Sequence, residues 1–350
     1  MKTPGVFISA TGAYLPERVP AEWAVAQGFV GEFEARRYGI KSVTMAGDLP
    51  APEMALRASR QALLRAGQDP AALSLVLYVS TWFQGPLGWC PQYYVQRHTG
   101  SGQATAAEIR QACMGMFCAC ELAAAHLMAA PEHAASLITS ADNYSTQMID
   151  RWRSSPHAPL GDGACALLFT RKPGFARLES INSVTLPQYE DRHRGSVPLF
   201  PPEVTLGAKL DLAKAKEQWQ STTGMDPREP VTTVTRTMLE VVDKTLREAS
   251  LDMSEITRIA FVNWSEERVR ERAAVPLGLP MSRLTWEYGR TIGHVGACDQ
   301  VLSLDHLLVS GELKEGDNLL LLGTGTGANI SCMAVRILHR PRWADVEHGS

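Results

Sequence analysis

One order of segments occurs twice along the chain, and it narrows the fold more than any single motif. In the first half, "MGMFCACELAAAHLMAA" is apolar nearly all round and is followed by the strand-like runs "AASLITSADNY" and "GDGACALLFTR". In the second half, "GHVGACDQVLSLDHLLVSG" reads as a helix, and "NLLLLGTGTGANISCMAVRIL" as two strands about a glycine turn. A helix apolar on all sides must be buried between other elements. Strands without polar alternation are buried on both faces. Segments that cover one another in this way make a layered α/β protein. The flanking stretches agree. "GVFISATGAYL" and "LSLVLYVSTW" read as strands, and "APEMALRASRQALLRAG" as a helix with Met54, Ala58, Ala62 and Leu63 at helical spacing, stopped by Gly67. Val231, Val234, Met238, Val241 and Val242 mark one face of a later helix, and "ITRIAFVNW" a further strand. The expected fold is therefore α/β, built from two duplicated halves, 1–172 and 173–350.

Composition bounds what such a chain does. Its 350 residues are 45% hydrophobic, enough for a large core, and the net charge of −3 comes with no basic stripe. A nucleic-acid partner is not expected. The start, "MKTPGVFISATGAYLP", has one lysine and an apolar run broken by Gly12 and Pro16, which suits neither a signal peptide nor an anchor. No apolar run reaches the ~18 residues of a membrane span. A cytoplasmic protein without a membrane partner is expected. The 7 cysteines show no CxxC pair or zinc spacing, so no metal site is expected and each is judged as a thiol. Between the halves, about 186–230 is polar and rich in proline, with "AKLDLAKAKEQWQ" as an exposed helix. A connection this long in a compact protein is more often a functional cap than a spacer.

Two places carry chemistry. "RQACMGMFCACELAAA" delivers Cys113 to the start of a buried helix, where free N–H groups and the helix dipole stabilise a thiolate. A small core residue is the alternative reading. "YGRTIGHVGACDQ" sets His294 among glycines with Asp299 five residues on. Residues five apart on a regular helix do not share a face. The two meet only if His294 lies in the turn before the helix and Asp299 in its first turn. The glycines of "LLGTGTGANI" lead into an alternating strand, so they do not make a nucleotide loop, which needs a helix after it. A hairpin of this kind still offers backbone N–H groups to an oxyanion.

Four of these stretches, in this order, resemble the ketoacyl-ACP synthase III enzymes of the thiolase fold. They are "GAYLPERV", "RQACMGMFCACELAAA", "PLGDGACALLF" and "ELKEGDNLLLLGTGTGANIS". The resemblance implies an αβαβα layered fold, a homodimer, and acyl transfer through a thioester on Cys113. It also implies an oxyanion hole from the backbone N–H groups of Cys113 and Thr326. No permanently bound cofactor is implied; a coenzyme A or phosphopantetheine thioester is the substrate.

The departures from the family pattern are as informative. "FVNWSEERVRERAAVPLGLP" aligns on Arg268 and puts Asn263 where the family carries a histidine; Arg290 falls where it carries an asparagine. Those two family side chains stabilise the enolate of malonyl decarboxylation, so their replacement speaks against condensation. His294 with Asp299 instead resembles a divergent branch from natural-product pathways that transfers acyl groups with a Cys-His-Asp set. Such a set needs a thiolate, a base near neutrality and a carboxylate that fixes the imidazole.

By the same resemblance Phe33 stands where a family tryptophan stacks on adenine, with a packing role left open. Arg36, Arg37 and Arg268 are positions to meet a phosphate or an acidic carrier protein, or to be solvated. Trp82, Phe83 and Trp89 align with residues that line the acyl pocket near the dimer interface. Asn263 and Arg290 are expected beside the thioester, Arg290 with a malonyl carboxylate as its possible anion. The expected activity is transfer from an acyl-CoA or acyl-carrier-protein donor to a hydroxyl, such as a sugar's, or to a second carrier protein. A decarboxylating synthase and a non-catalytic partner subunit are the alternatives.

Overall fold

The computed structural model describes residues 1–348. Its strands are β1 Phe7–Tyr14, β2 Arg18–Pro20, β3 Ser42–Thr44, β4 Leu73–Ser80, β5 Thr105–Arg110, β6 Ala135–Asp142, β7 Gly163–Thr170, β8 Ala176–Thr185, β9 Ile256–Ala260, β10 Asn318–Gly325 and β11 Asn329–Ile337. Nine form one sheet in the order β5-β4-β6-β7-β1-β8-β11-β10-β9, while β2 and β3 make a small separate ribbon.

The duplication expected from the segment order is written in the pairing. Along β4-β6-β7-β1 the pairs run parallel, antiparallel, antiparallel. Along β9-β10-β11-β8 they run parallel, antiparallel, antiparallel again. The two sets join through a short β1–β8 contact, Phe7 with Arg177 and Ile8 with Ala176.

Two buried helices, Gly115–Ala129 and Asp299–Val309, form the middle layer. The first packs on β4 and β6 of one set and on β8 of the other; the second packs on β9 and β10 and also on β1 and β7. Met116, Phe117 and Leu127 from one helix share a core with Val301, Leu304 and Leu308 from the other. Outer helices Ala51–Ala66 and Arg228–Ala249 cover β1, β6 and β7, and β8 and β11, respectively. This is the five-layered α/β arrangement of the thiolase fold. It corrects one expectation: the 18-residue stretch Ala112–Ala129, mean hydropathy 1.5, does match a membrane span in length and composition. Here it is the central core helix, packed on strands of both sets, with Leu122 exposed on its outer side.

The segment 186–230 folds as a cap. It holds a 3-10 turn Pro187–His193, a second at Glu203–Leu206, and the helix Leu212–Thr223, started by Asp211, whose side chain accepts from Lys214 N at 2.9 Å. That helix is not exposed all round. Ala215 and Trp219 are buried, and Trp219 meets Tyr189 edge-on at 6.2 Å over Ala328 of the glycine hairpin. The cap thus rests on the β10–β11 turn.

Candidate active site

Cys113 sits where β5 turns into the central helix. The preceding residue, Ala112, holds the left-handed conformation at φ 48°, a strained geometry for a side chain larger than glycine's. A 3-10 turn, Ala112–Met114, then feeds the helix from Gly115.

His294 is fixed from the other half. Its N–H donates to Pro159 O at 3.0 Å and its C=O accepts from Gly161 N at 2.9 Å, so the "PLGDGA" segment grips it on both sides. Gly161 is required by this approach, since a Cβ there would lie 2.1 Å from Ile292 O. Gly296–Cys298 form a 3-10 turn and Asp299 is the first residue of the following helix. The five-residue spacing works because the histidine lies in a short extended segment bridged to Leu160, just before the turn, and the carboxylate takes the first helical position.

The three side chains meet in line. Cys113 Sγ is 3.0 Å from His294 Nε2, and His294 Nδ1 is 2.6 Å from Asp299 Oδ2. Asp299 also accepts from Val295 N at 2.8 Å, Asn263 N at 2.8 Å and Asn263 Nδ2 at 3.1 Å. An ionised carboxylate only accepts, so Nδ1 carries the proton and Nε2 is aimed at the sulfur. Burial is the largest single influence on His294 and disfavours its charge. The Asp299 carboxylate and then Cys113, with their hydrogen bonds, together outweigh it and hold the imidazole well above its ordinary value.

A cavity of about 320 Å³ opens over this line. Cys113, His294 and Thr326 line it, with Trp82, Tyr144 and Leu160 on one side and Val231, Val234 and Met238 on another. Arg268 faces it too, together with Arg192, His193 and Lys216 of the cap and Arg272. The last four were missed by sequence reasoning, although the charge of the cap segment was visible. Their segments gave no sign of which wall they face.

Two residues expected beside the thioester, Asn263 and Arg290, lie elsewhere. Asn263 does not line the cavity. It is buried behind Asp299, with Nδ2 also donating to Gly293 O at 3.0 Å, and a Cβ on Gly289 would lie 2.3 Å from its Oδ1. Arg290 is turned outward. Its Nε donates to Gly39 O at 2.9 Å, its guanidinium lies 4.3 Å over the Trp286 ring, and Glu287 is 3.5 Å away. It holds no position for a malonyl carboxylate. Phe33, Arg36, Arg37, Phe83 and Trp89 also lie outside the cavity lining. Phe33 is 74% exposed, Arg36 pairs with Glu32 on its own helix, and Arg37 lies over the Tyr38 ring. Phe83 sits under Arg110, and Trp89 packs edge-on to Tyr94. Of the aromatic loop only Trp82 reaches the site.

Sequence and structure comparisons give the chain a family. Residues 107–185 match the 3-oxoacyl-[acyl-carrier-protein (ACP)] synthase III family, and residues 246–337 match its C-terminal region. The chain belongs to this family of thiolase-fold enzymes. Within it, the chain stands with the divergent acyltransferase branch. It is 47% identical to ChlB3, a solved structure described as an acyltransferase, with a TM-score of 0.93 over 97% of this chain and 100% of that one. The β-ketoacyl-[acyl-carrier-protein] synthase III of Lactobacillus delbrueckii subsp. bulgaricus is 26% identical over 94% of this chain and 98% of its own. The 3-oxoacyl-[acyl-carrier-protein] synthase III of Aquifex aeolicus shares the fold, with a TM-score of 0.76 at 21% identity, covering 95% of this chain and 99% of that one.

Proposed function

We propose that this enzyme moves an acyl group from a coenzyme A or carrier-protein thioester, through a thioester on Cys113, to a hydroxyl or to a second carrier-protein thiol, without decarboxylation. The observation that carries this reading is the Cys113–His294–Asp299 line, at 3.0 and 2.6 Å, of which Cys113 and His294 line the cavity. The match to ChlB3 supports the acyltransferase assignment. In the first half-reaction the Cys113 thiolate attacks the thioester carbon, and the tetrahedral oxyanion is met by the N–H groups of Cys113 and Thr326. Collapse breaks the C–S bond to the donor, whose leaving thiolate takes the proton from the His294 imidazolium.

Acylation removes the negative charge of Cys113, one of the influences that raise His294. The imidazole left behind is neutral and ready to accept a proton. It takes that proton from the acceptor hydroxyl or thiol, which attacks the Cys113 thioester and expels the thiolate. Asp299 keeps Nδ1 protonated throughout. We read the exposed Phe83, Leu87 and Trp89, at 45%, 71% and 39%, as the face on which a second copy docks.

The test is intact-protein mass spectrometry after incubation with a panel of acyl thioesters. One adduct on Cys113, absent in Cys113→Ala, is expected. An adduct that persists in that variant, or that maps to Cys298, overturns the assignment.

A further inference from the structure

The turn between β10 and β11 has little of its own to hold it. The ladder ends at the pair Gly325–Asn329, and Thr326, Gly327 and Ala328 lie beyond it. Gly327 and Ala328 take the left-handed conformation, at φ 75° and 51°. A Cβ on Gly327 would meet nothing within 4 Å, so packing does not fix that side of the turn. On its inner side the hairpin runs past the nucleophile, since a Cβ on Gly325 would lie 3.7 Å from Cys113 Cβ. Thr324, Gly325, Thr326 and Ala328 all line the cavity. Among the described residues, no hydrogen bond within the protein uses the Thr326 N–H. A backbone donor left over beside a reacting group is what an oxyanion hole requires, provided that it is aimed.

The cap supplies what the turn lacks. Leu186 N donates to Ala328 O at 3.1 Å, and Tyr189 and Trp219 pack on Ala328. His193, the last residue of the 3-10 turn Pro187–His193, accepts from Gly327 N through Nδ1 at 3.3 Å. Among the described residues this is the one side-chain hydrogen bond to Thr326, Gly327 or Ala328. Only a neutral imidazole has a nitrogen that accepts. Burial first, and then Arg192, push His193 down to about 4, so its ring is neutral at neutral pH. The Thr326–Gly327 peptide is planar, and a bond to its N–H therefore holds the whole unit. With Gly325 held by the ladder on the other side, Thr326 is fixed from both directions.

We propose that His193 is a positioning residue for acyl transfer: by accepting the Gly327 N–H it holds the β10–β11 turn so that the Thr326 N–H points at the oxygen of the acyl group on Cys113. This rests on the acyl-transfer reading above. The cap then does more than close one side of the cavity, since it also sets the aim of a donor that the sheet alone leaves loose. A donor aimed before reaction costs no reorganisation when the oxyanion forms. His193 also lines the cavity, and a contact with the acyl donor itself would give it a different role. The two roles differ in what they change: the aim of Thr326 governs the rate of acylation and the polarisation of the thioester carbonyl, whereas a contact with the donor governs saturation.

The probe is carbonyl-labelled 4-nitrophenyl acetate, which gives its acetyl group to the Cys113 thiolate and releases coloured nitrophenolate. Wild type, His193→Ala and His193→Asn are compared as full chains, each checked for folding by circular dichroism. The nitrophenolate burst, followed against ester concentration, separates the limiting rate from the half-saturating concentration. Isotope-edited infrared spectra of the acetyl-enzyme give the thioester C=O stretch, which a hydrogen bond to the oxygen lowers. In wild type the stretch should lie below that of the same acetyl-enzyme after denaturation. His193→Ala should shift it back towards the denatured value. Its limiting rate should fall about tenfold or more, part of the roughly 100- to 1,000-fold that loss of a whole oxyanion donor costs, at an unchanged half-saturating concentration. His193→Asn, whose Oδ1 accepts the same N–H, should recover most of both. A His193→Ala stretch and rate equal to wild type overturn the proposal. So does a His193→Asn enzyme no better than His193→Ala, which would leave only the bulk of the ring. A rise in the half-saturating concentration with rate and stretch intact would make His193 a contact of the donor instead. A wild-type chain that never takes acetyl on Cys113 sinks the acyl-transfer reading itself, and this role with it.

Discussion

Asn263 holds Asp299 from two directions, through its backbone N–H at 2.8 Å and its Nδ2 at 3.1 Å. By the resemblance in the sequence, it is expected where condensing enzymes of the family carry a histidine beside the substrate. In this chain the position has moved behind the site, to the carboxylate that orients His294. Removing the side-chain bond leaves one Asp299 oxygen short of a donor, a loss of about 1.5–3 kcal/mol for a charged partner. Asn263→Ala should therefore lower kcat roughly 10- to 100-fold with little change in KM. A rise in KM with kcat intact would mean that Asn263 binds substrate.

Asp299→Asn keeps the shape of the line but presents His294 Nδ1 with a group that can donate. The rate of transfer should fall by about two orders of magnitude or more, as in hydrolytic triads with a misset tautomer. His294→Ala should abolish transfer to the acceptor, while slow loading of Cys113 survives. Single-turnover kinetics separates the two steps, and an Asp299→Asn enzyme as fast as wild type would remove Asp299 from the mechanism.

His294 is raised above its ordinary value by Asp299 and by Cys113 against burial, so its charged form persists to higher pH than that of a free imidazole. A raised value means that the charge is present below it and lost as pH climbs through it. Cys113→Ala removes one of the raising influences, and its imidazole should titrate at lower pH than wild type. Nitrogen-15 chemical shifts of the ring give the readout. A titration unchanged by the substitution would uncouple the two groups.

Malonyl thioesters should not be decarboxylated. The enolate needs donors aimed at one thioester oxygen, and loss of one such donor typically costs about 2.7–4 kcal/mol. Asn263 is committed to Asp299 and Gly293, and Arg290 to Gly39 and the Trp286 ring. Radiolabelled malonyl-CoA and malonyl-carrier protein test this. Catalytic release of CO2 would return the enzyme to the condensing class.

Asp142, at the end of β6, is fully buried, and burial pushes its carboxyl up to about 7 against hydrogen bonds from Thr81 and Gln84. Between about pH 4 and pH 7 the unfolded chain has lost this proton while the folded chain keeps it. Stability from this group is thus full at low pH and falls as pH rises to about 7, by roughly 1.4 kcal/mol per pH unit. Asp142→Asn should flatten that slope, so its stability relative to wild type improves from pH 4.5 to 7.5 in denaturant titrations. Parallel pH profiles for the two proteins would show that Asp142 does not titrate in this window.

The amino-acid sequence determined the duplicated layered fold, the place of Cys113 at a helix start, and the turn-then-helix spacing that lets His294 and Asp299 meet. These depend on local periodicity and capping, which a few residues in sequence specify. Alignment along the chain put Asn263 and Arg290 beside the thioester, but their neighbours decided otherwise. Gly289 leaves room for Asn263 to reach Asp299, and Trp286 and the Gly39 carbonyl hold Arg290 away from the cavity. Hydropathy gave Ala112–Ala129 the length of a membrane span, and only its contacts with strands of both halves mark it as core. Tertiary structure alone placed Arg192 and Lys216 with Arg268 and Arg272 on one wall. That wall is assembled from segments up to 80 residues apart, and no local pattern records which of their faces turn inward.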